Sequence, residues 1–377
     1  MPSPGPVALA VVGDIGTTSP ETADLVAGIA ERLRGSPEAP IVVTGDIFYR
    51  DGLLGVCPSA GGPPRSKRSC ERPTSTDEQM TLVFGPYRRA LPGQPVVAVA
   101  GNHDHYGDPQ STLNACETIP ATEPGWRYLA EGCGLERDHP VATLDLGEVV
   151  VFVVDSDRMI QDRGYREAAA SALRDEVERT RVERPSAWRV LAMHHPLESY
   201  GLHNGAHPLT ALRKDFYWLA NSVLLPITWL ANRTVLGKIG HQDVYEWRYR
   251  AFRRSIYSAL SEIGVDLVVS GHDHSLQLIR VNHPGVGFQM VSGAGAYRTP
   301  IKTSGLDLLF TNRAARAVGL GSWLPAPAHE LVFGAGVSTG LGFAVLVPDG
   351  NRLVAEFYAA GSPEPLVVYP IERGEEP

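Results

Sequence analysis

The sequence predicts an α/β sandwich, and three observations lead to this fold class. Short apolar runs rich in β-branched residues end in polar or glycine residues, as buried strands do. Stretches of helical length, amphipathic or rich in alanine, lie between several of these runs. The C-terminal part has the pattern of strands joined by a tight turn. Alternation of strands and helices is typical of sheets that carry helices on their faces.

Six apolar runs are predicted to be buried strands. Each is short, contains valine or isoleucine, and is followed by a polar or glycine residue that can begin a turn. The runs are residues 7–12, 41–43, 96–100, 149–154, 190–193 and 265–269.

Three helices are predicted between these strands. Residues 21–34 carry leucine or isoleucine at every fourth position, residues 166–182 are rich in Ala, Glu and Arg, and residues 255–263 form a third candidate. Near the C-terminus, residues 343–347 and 353–358 flank a Pro-Asp-Gly turn and predict a hairpin. Residues 366–371 predict one more strand.

The chain is predicted to be a single domain, residues 1–377, with three loop insertions. We find no internal repeat and no clear linker. The insertions are about 51–76, 201–250 and 303–340.

Composition limits the classes of partner. The net charge is −8 and the pI is near 5.9, so no general attraction to nucleic acid or anionic membrane is expected. No transmembrane segment is predicted, because polar residues interrupt the apolar stretch 216–239. That stretch leaves open a peripheral membrane contact or a buried helical insertion.

The four cysteines leave the compartment open. Two local disulfides, Cys57–Cys70 and Cys116–Cys133, would indicate an oxidising compartment, whereas four free thiols would indicate the cytosol. The apolar run 7–12 is interpreted as the first strand and not as a signal peptide, which makes the cytoplasm the default. If an export segment has been removed, the loop cysteines favour a periplasmic or secreted protein.

Five polar motifs carry the functional prediction, because each follows or lies near the end of an apolar run. Ligands from separate segments can meet at the carboxyl ends of strands in an α/β sheet. The motifs are GDIG at 13–16, GDIFY at 45–49, GNHD at 101–104, HHP at 194–196 and GHDH at 271–274.

The residue types in these motifs indicate a site for two metal ions. Carboxylate, amide and imidazole groups suit iron, manganese or zinc. Two ions can clamp a phosphoryl group and lower the pKa of a water held between them, which gives a hydroxide nucleophile near neutral pH. Asp46 is the predicted bridge, because a carboxylate has two oxygens and a negative charge.

The ordered set GD-x-G, GD-xx-Y, GNH-D, H-x-P and GH-x-H resembles the calcineurin-like metallophosphoesterase superfamily. The tyrosine of the second motif makes the chain most similar to the purple acid phosphatases, particularly the small tartrate-resistant type. The resemblance extends over about residues 7–369. It implies a four-layer α/β/β/α sandwich of two mixed β-sheets flanked by helices.

The resemblance also implies a ligand set. The first metal, Fe(III) in purple enzymes, would be held by Asp14, Asp46, Tyr49 and His274. The second, which is Fe(II), Zn(II) or Mn(II), would be held by Asp46, Asn102, His194 and His272. The alternative for Tyr49 is a purely structural role in which its ring packs against the sheet, since the diesterase branches lack a tyrosine ligand.

Two further histidines have catalytic roles implied by the resemblance. His103 would contact the phosphate and protonate the leaving alkoxide, although support of local structure with Asp104 is the alternative. His203 stands where small purple phosphatases have a histidine near the substrate. His195 is expected to point away from the metals, because the family ligand lies two residues before the proline. Three other histidines are interpreted as surface residues: His105, His207 and His241.

The function expected from these features is hydrolysis of phosphate monoesters by a metal-bound hydroxide, as in acid phosphatases, on a small phosphorylated substrate. One alternative is a metallophosphodiesterase acting on nucleotide or lipid-like diesters. A remote alternative is a metal-binding scaffold without catalysis. The sequence departs from the purple phosphatase pattern at Ile15 and in the insertions 201–250 and 303–340, which would border the site.

Overall fold

The computed structural model describes residues 5–17, 19–49, 52–53, 76–105, 109–201, 203, 246–301 and 329–373. The stretch 216–239, residues Cys57 and Cys70, and most of the three predicted insertions lie outside this part of the chain.

The described residues form two mixed β-sheets. The strands are β1 Leu9–Val12, β2 Ile41–Val43, β3 Val96–Val99, β4 Trp126–Glu131, β5 Gly134–Leu135, β6 Ala142–Asp145, β7 Val149–Val153, β8 Trp188–Ala192, β9 Val265–Ser270, β10 Leu276–His283, β11 Val286–Ser292, β12 His329–Ala335, β13 Gly342–Asp349, β14 Arg352–Ala359 and β15 Val367–Glu372. The first sheet has the order β15-β14-β13-β1-β2-β3-β4-β5, and the second has the order β12-β10-β11-β9-β8-β7-β6.

The helices lie on the outer faces of the sheets, except for the short helix that directly follows β3. They are α1 Pro20–Leu33, α2 Thr76–Ala90, α3 Asn102–His105, α4 Pro109–Thr122, α5 Ser156–Gln161, α6 Arg163–Glu183 and α7 Trp247–Leu260. Helix α1 begins with Pro at its first position, and the backbone N–H of Ser19 donates to Thr22 Oγ1 at 2.9 Å. Helix α6 is capped by the Asp162 carboxylate, which accepts from the N–H of Tyr165 at 3.0 Å. No described helix has the length and apolarity needed to cross a bilayer.

Three hydrophobic layers hold these elements together and confirm the four-layer α/β/β/α sandwich. The first layer joins one face of the first sheet to α1, α2 and α4. The second lies between the two sheets, and the third joins the second sheet to α5, α6 and α7. Alternate residues of β1 serve different layers: Leu9 and Val11 face the second sheet, whereas Ala10 and Val12 face the helices. Burial on both faces explains why the strand sequences are almost continuously apolar.

The six predicted strands and the C-terminal hairpin are confirmed, with small differences at their ends. Helix α7 differs most, because it begins at Trp247 and not at residue 255. Its first turns carry three arginines, which obscure the buried stripe of Tyr249, Phe252 and Ile256 in the sequence. The end of the predicted insertion 303–340 also contains β12, which pairs with β10 at the edge of the second sheet.

The Cys116–Cys133 disulfide is present and links α4 to the turn between β4 and β5. The two cysteines are 17 positions apart in the sequence. A bridge across a loop of this size stabilises a fold mainly by restricting the unfolded chain.

Removing this bridge should lower the free energy of unfolding by about 2–4 kcal/mol. The test is urea unfolding of a Cys116→Ala/Cys133→Ala variant against its parent, both in a Cys57→Ala/Cys70→Ala background. Reductant should destabilise the parent and leave the variant unchanged. A parent whose unfolding midpoint does not respond to reductant would contradict the expectation.

Candidate metal centre

The five motif segments lie together at one end of the two sheets. Asp14 follows β1, Asp46 follows β2 and Asn102 follows β3, and these three strands are parallel neighbours in the first sheet. His194 follows β8 and His272 follows β9, which are parallel neighbours in the second sheet. Because the carboxyl ends of all five strands open on the same space, ligands from distant parts of the sequence meet there.

Backbone strain is concentrated at this space. Among the described residues, the non-glycine residues with positive φ are Asp14 (60°), Asp46 (54°) and His272 (69°). Such a conformation costs on the order of 1–3 kcal/mol per residue and persists only where the surroundings enforce it. All three residues come from the predicted ligand set, so the strain points to a functional cluster.

Glycines that directly precede predicted ligands allow the segments to approach each other closely. Gly45 has φ of +93°, and a Cβ at this position would collide with the ring of His194. A Cβ at Gly101 would collide with the Asp46 carboxylate. Each of these two glycines therefore makes room for a ligand of another motif.

One group of side chains is built from Asp14, Tyr49 and His274. The Tyr49 hydroxyl donates to Asp14 Oδ1 at 2.9 Å and lies 3.0 Å from His274 Nε2. His274 Nε2 also lies 3.3 Å from Asp14 Oδ1. Burial, followed by the Asp14 and Asp46 charges, raises the pKa of Tyr49 well above its ordinary value. Tyr49 therefore faces the other predicted ligands and does not merely pack against the sheet.

A second group is built from Asn102, His194 and His272. Asn102 Oδ1 lies 2.9 Å from His194 Nε2 and 3.1 Å from His272 Nδ1, and the two nitrogens are 3.3 Å apart. Asp46 Oδ1 is 3.4 Å from His194 Nε2. One ligand atom each from Asp14, Asp46 and His194 lies within 4.8 Å of the others, so Asp46 stands between the two groups.

The tautomer of His194 makes this cluster suitable for a cation. His194 Nδ1 lies 2.7 Å from the Thr44 carbonyl oxygen, an arrangement that places a proton on Nδ1. In the neutral imidazole, Nε2 then presents a lone pair toward the oxygens of Asn102 and Asp46, which are also acceptors. Acceptors this close require a proton or a cation between them, and the donor set suits iron, manganese or zinc.

The electrostatics of the buried pair agree with this requirement. Although burial opposes both charges, Asp46 raises the pKa of His194, and His194 followed by His103 lowers the pKa of Asp46. Both residues are almost fully buried. The cluster thus stabilises positive charge at the position where the two groups meet.

Asp104 connects two of the motif segments through backbone hydrogen bonds. Its Oδ1 accepts from the N–H groups of Ile47 and Phe48, both at 2.9 Å, and its Oδ2 accepts from Gly101 at 2.8 Å. The last residue of the third motif therefore fixes the backbone of the second.

His103 and His203 lie at the edge of the cluster. The N–H of His103 donates to Asp46 Oδ1 at 2.9 Å, its ring centroid is 4.6 Å from that of Tyr49, and 26% of its side chain is exposed. The ring centroid of His203 lies 4.1 Å from that of His272. Tyr297, which the sequence analysis missed, stacks on His274 with centroids 5.2 Å apart.

The expectation that His195 points away from the metals is not met. Its ring centroid lies 4.5 Å from that of His272, and its Nδ1 is 2.9 Å from Ser156 Oγ. A ring nitrogen of His195 lies within 4.8 Å of the ligand nitrogens of His194 and His272. His195 is therefore a further member of the cluster.

The interpretation of His105 as a surface residue is wrong. Its Nε2 lies 3.0 Å from Asp155 Oδ2, and its Nδ1 lies 3.1 Å from Thr112 Oγ1. Although burial lowers it, the Asp155 charge raises the pKa of His105 to about 9. The sequence gives no signal for this ion pair, because Asp155 follows β7, fifty positions away. His207 and His241 lie outside the described residues.

Comparisons with known proteins agree with the fold and the cluster. The sequence model of a family described as calcineurin-like phosphoesterase matches residues 7–276. A solved structure described as "GAP50 the anchor in the inner membrane complex of Plasmodium" is similar, with 14% identity and a TM-score of 0.51 over 97% of this chain and 88% of that one. At this identity, the similarity shows the fold alone. No curated protein sequence is significantly similar to the chain.

The ion pair of His105 should make stability depend on pH. Below about pH 6.5 the imidazole is charged in both the folded and the unfolded protein, and the ion pair makes its full contribution to the free energy of unfolding. Between about pH 6.5 and 9 only the folded protein holds the proton. The free energy of unfolding therefore falls as the pH rises through this range. The loss should be on the order of 3 kcal/mol. The measurement is urea unfolding from pH 6 to 10, in which His105→Gln should flatten this part of the profile.

His139→Gln is the matched control, because His139 is exposed. The control should keep the wild-type profile. Parallel profiles for the wild type and His105→Gln would contradict the expected contribution of the ion pair.

Proposed function

Because the chain belongs to the calcineurin-like phosphoesterase family, we propose that it hydrolyses phosphate monoesters at this cluster, with two metal ions, in the manner of a purple acid phosphatase. The observation that carries the proposal is the orientation of His194. Its Nδ1 is occupied by the Thr44 carbonyl, so Nε2 and the oxygens of Asn102 and Asp46 converge on one point.

The two groups of side chains correspond to two metal sites. Asp14, Asp46, Tyr49 and His274 would hold the first ion, and Asp46, Asn102, His194 and His272 would hold the second, with Asp46 shared. Carboxylate and phenol oxygens suit Fe(III) in the first site, and imidazole with amide suits Fe(II), Zn(II) or Mn(II) in the second. When bound, the ions supply an activated water and neutralise charge on the phosphate oxygens.

His103 donates a proton to the leaving oxygen. Its partly exposed ring lies beside Tyr49, and its backbone is held by Asp46, so the imidazole would reach a substrate bound at the edge of the cluster. Proton donation matters because an alkoxide is a poor leaving group. The ring of His203 lies beside His272 of the second group, where it would contact the same substrate.

The substrate is a small phosphorylated molecule, and the acidic balance of the chain does not favour nucleic acid. The Cys116–Cys133 disulfide supports an oxidising compartment, that is, a periplasmic or secreted protein.

The first test compares an aryl phosphate monoester with the matching diester, using protein loaded with iron plus zinc, or with manganese, from acidic to neutral pH. We expect monoester turnover to be faster, with its maximum on the acid side. A diester preference would replace the proposed reaction with phosphodiester hydrolysis. No turnover of either ester by protein that contains metal would favour the inactive scaffold.

Asp46→Asn should reduce metal content and turnover together, because both groups lose a shared ligand. We expect turnover to fall by about 10² or more, since even residues that only support metal ligands cost about 10–100-fold. Metal is measured by elemental analysis of the purified protein. The control is Asp138→Asn, an exposed carboxylate in a loop. An Asp46→Asn protein with full metal content would remove Asp46 from the site.

His103→Gln should lower turnover without loss of metal, by about 10²–10⁴-fold for an alkyl phosphate. The effect should be much smaller for a nitrophenyl phosphate, whose leaving group needs little protonation. The readouts are kcat for both substrates and metal content. An equal effect on both substrates, or a parallel loss of metal, would contradict proton donation by His103.

A further inference from the structure

The loop that carries His203 is held by several side chains, and three of them accept hydrogen bonds from its backbone N–H groups. This loop, here called the histidine loop, comprises residues 196–201 and 203, which follow His194 and His195. Gln289 of β11 accepts from the N–H groups of Leu197 and Glu198 at 2.8 and 2.9 Å. Gln277 of β10 accepts from the N–H of Tyr200 at 2.8 Å.

The third side chain is Asp273, which lies between the ligands His272 and His274. Its Oδ2 accepts from the Ser199 hydroxyl, and its Oδ1 accepts from the backbone N–H of His203 at 3.1 Å. The carboxylate is fully buried. A buried carboxylate requires such donors, and these charge-assisted bonds are among the stronger ones in a protein.

The histidine loop also wraps closely around this carboxylate. Gly201 lies so near that a Cβ there would collide with both carboxylate oxygens. The N–H of Gly201 donates to Ser199 Oγ at 2.9 Å, so Ser199 links the Asp273 carboxylate to the backbone of Gly201. Three of the described loop residues therefore depend on one side chain.

We propose that Asp273 is a positioning residue that fixes the histidine loop and, through it, the ring of His203 over His272. The inference rests on the proposed function, because it assigns His203 a place at the substrate. The carboxylate is turned toward the loop, whereas backbone hydrogen bonds hold its own segment: the N–H of Asp273 donates to the Gly271 carbonyl at 2.8 Å, and that of Ser275 donates to the Asp273 carbonyl at 2.7 Å.

The inference is tested by a double-mutant cycle with Asp273→Ala, His203→Ala and the combined variant. We expect each single change to lower kcat for the monoester by about 10–100-fold, because a small misplacement of a substrate-contacting group costs this much. In the His203→Ala background, Asp273→Ala should lower kcat by less than about threefold, because the imidazole that Asp273 positions is already absent. Asp273→Asn keeps an acceptor for the His203 N–H and should recover part of the activity.

Metal content and hydrogen exchange separate positioning from general damage. Asp273→Ala should retain both metals, while the amides of the histidine loop exchange at least about tenfold faster than in the wild type. The matched control is Ser270→Ala, because Ser270 is buried nearby in β9 and bonds to Met290 and not to the loop. Multiplicative effects in the cycle, loss of metal in Asp273→Ala, or unchanged loop exchange would overturn the inference.

Hydrogen exchange and a second variant separate failure of the inference from failure of the proposed function or of folding. If the wild type hydrolyses no phosphate ester, the proposed function fails, whereas loop exchange still decides whether Asp273 fixes the loop. If Asp273→Ala does not fold, Ser199→Ala removes the contact to Oδ2, together with the bonds that Ser199 Oγ accepts from Gly201 and Gln277. The contact between Oδ1 and the His203 N–H remains in that variant. That variant should speed loop exchange severalfold and lower kcat by less than His203→Ala does, and unchanged exchange would refute the inference.

Discussion

The structure is organised around one unfavourable arrangement: several buried acceptors directed at a common space. Asn102 Oδ1 and Asp46 Oδ1 lie 2.9 and 3.4 Å from His194 Nε2, and neither oxygen brings a proton. Water is largely excluded, so positive charge must enter, either as a proton on an imidazole or as a metal ion. The raised pKa of His194 and the lowered pKa of Asp46 both follow from this need for positive charge.

The two-sheet architecture supplies the rigidity that such an arrangement needs. Each ligand follows the end of a strand that is buried on both faces, so its backbone cannot relax without exposing apolar surface. The left-handed conformations of Asp14, Asp46 and His272 are stabilised by this packing and by bonds between motifs. The N–H of His272, for example, donates to Asp14 Oδ2 at 2.9 Å, which joins the two sheets at the site.

The sequence predicts the parts of the site that depend on local order. Strand runs and the residues that follow them are contiguous, and parallel strands bring their carboxyl ends together without further information. The fold class and the grouping of the motif residues could therefore be anticipated. The ion pair of His105 with Asp155, the placement of His195 and the contacts of Asp273 could not. Each depends on which side of a strand a distant loop crosses, and a single sequence carries no signal for that.

If the cluster binds metal ions and a phosphate ester as proposed, thermodynamic linkage joins the two binding events. A phosphate monoester carries negative charge, and the carboxylates of Asp14 and Asp46 repel it until cations neutralise them. Bound cations therefore raise the affinity for phosphate, and by reciprocity bound phosphate raises the affinity for the cations by the same factor. A chain with a net charge of −8 has no general attraction for an anion, so under the proposed function this coupling is what attracts the substrate to the cluster. Under the proposed function, the acceptor geometry at the strand ends therefore accounts for the binding of phosphate.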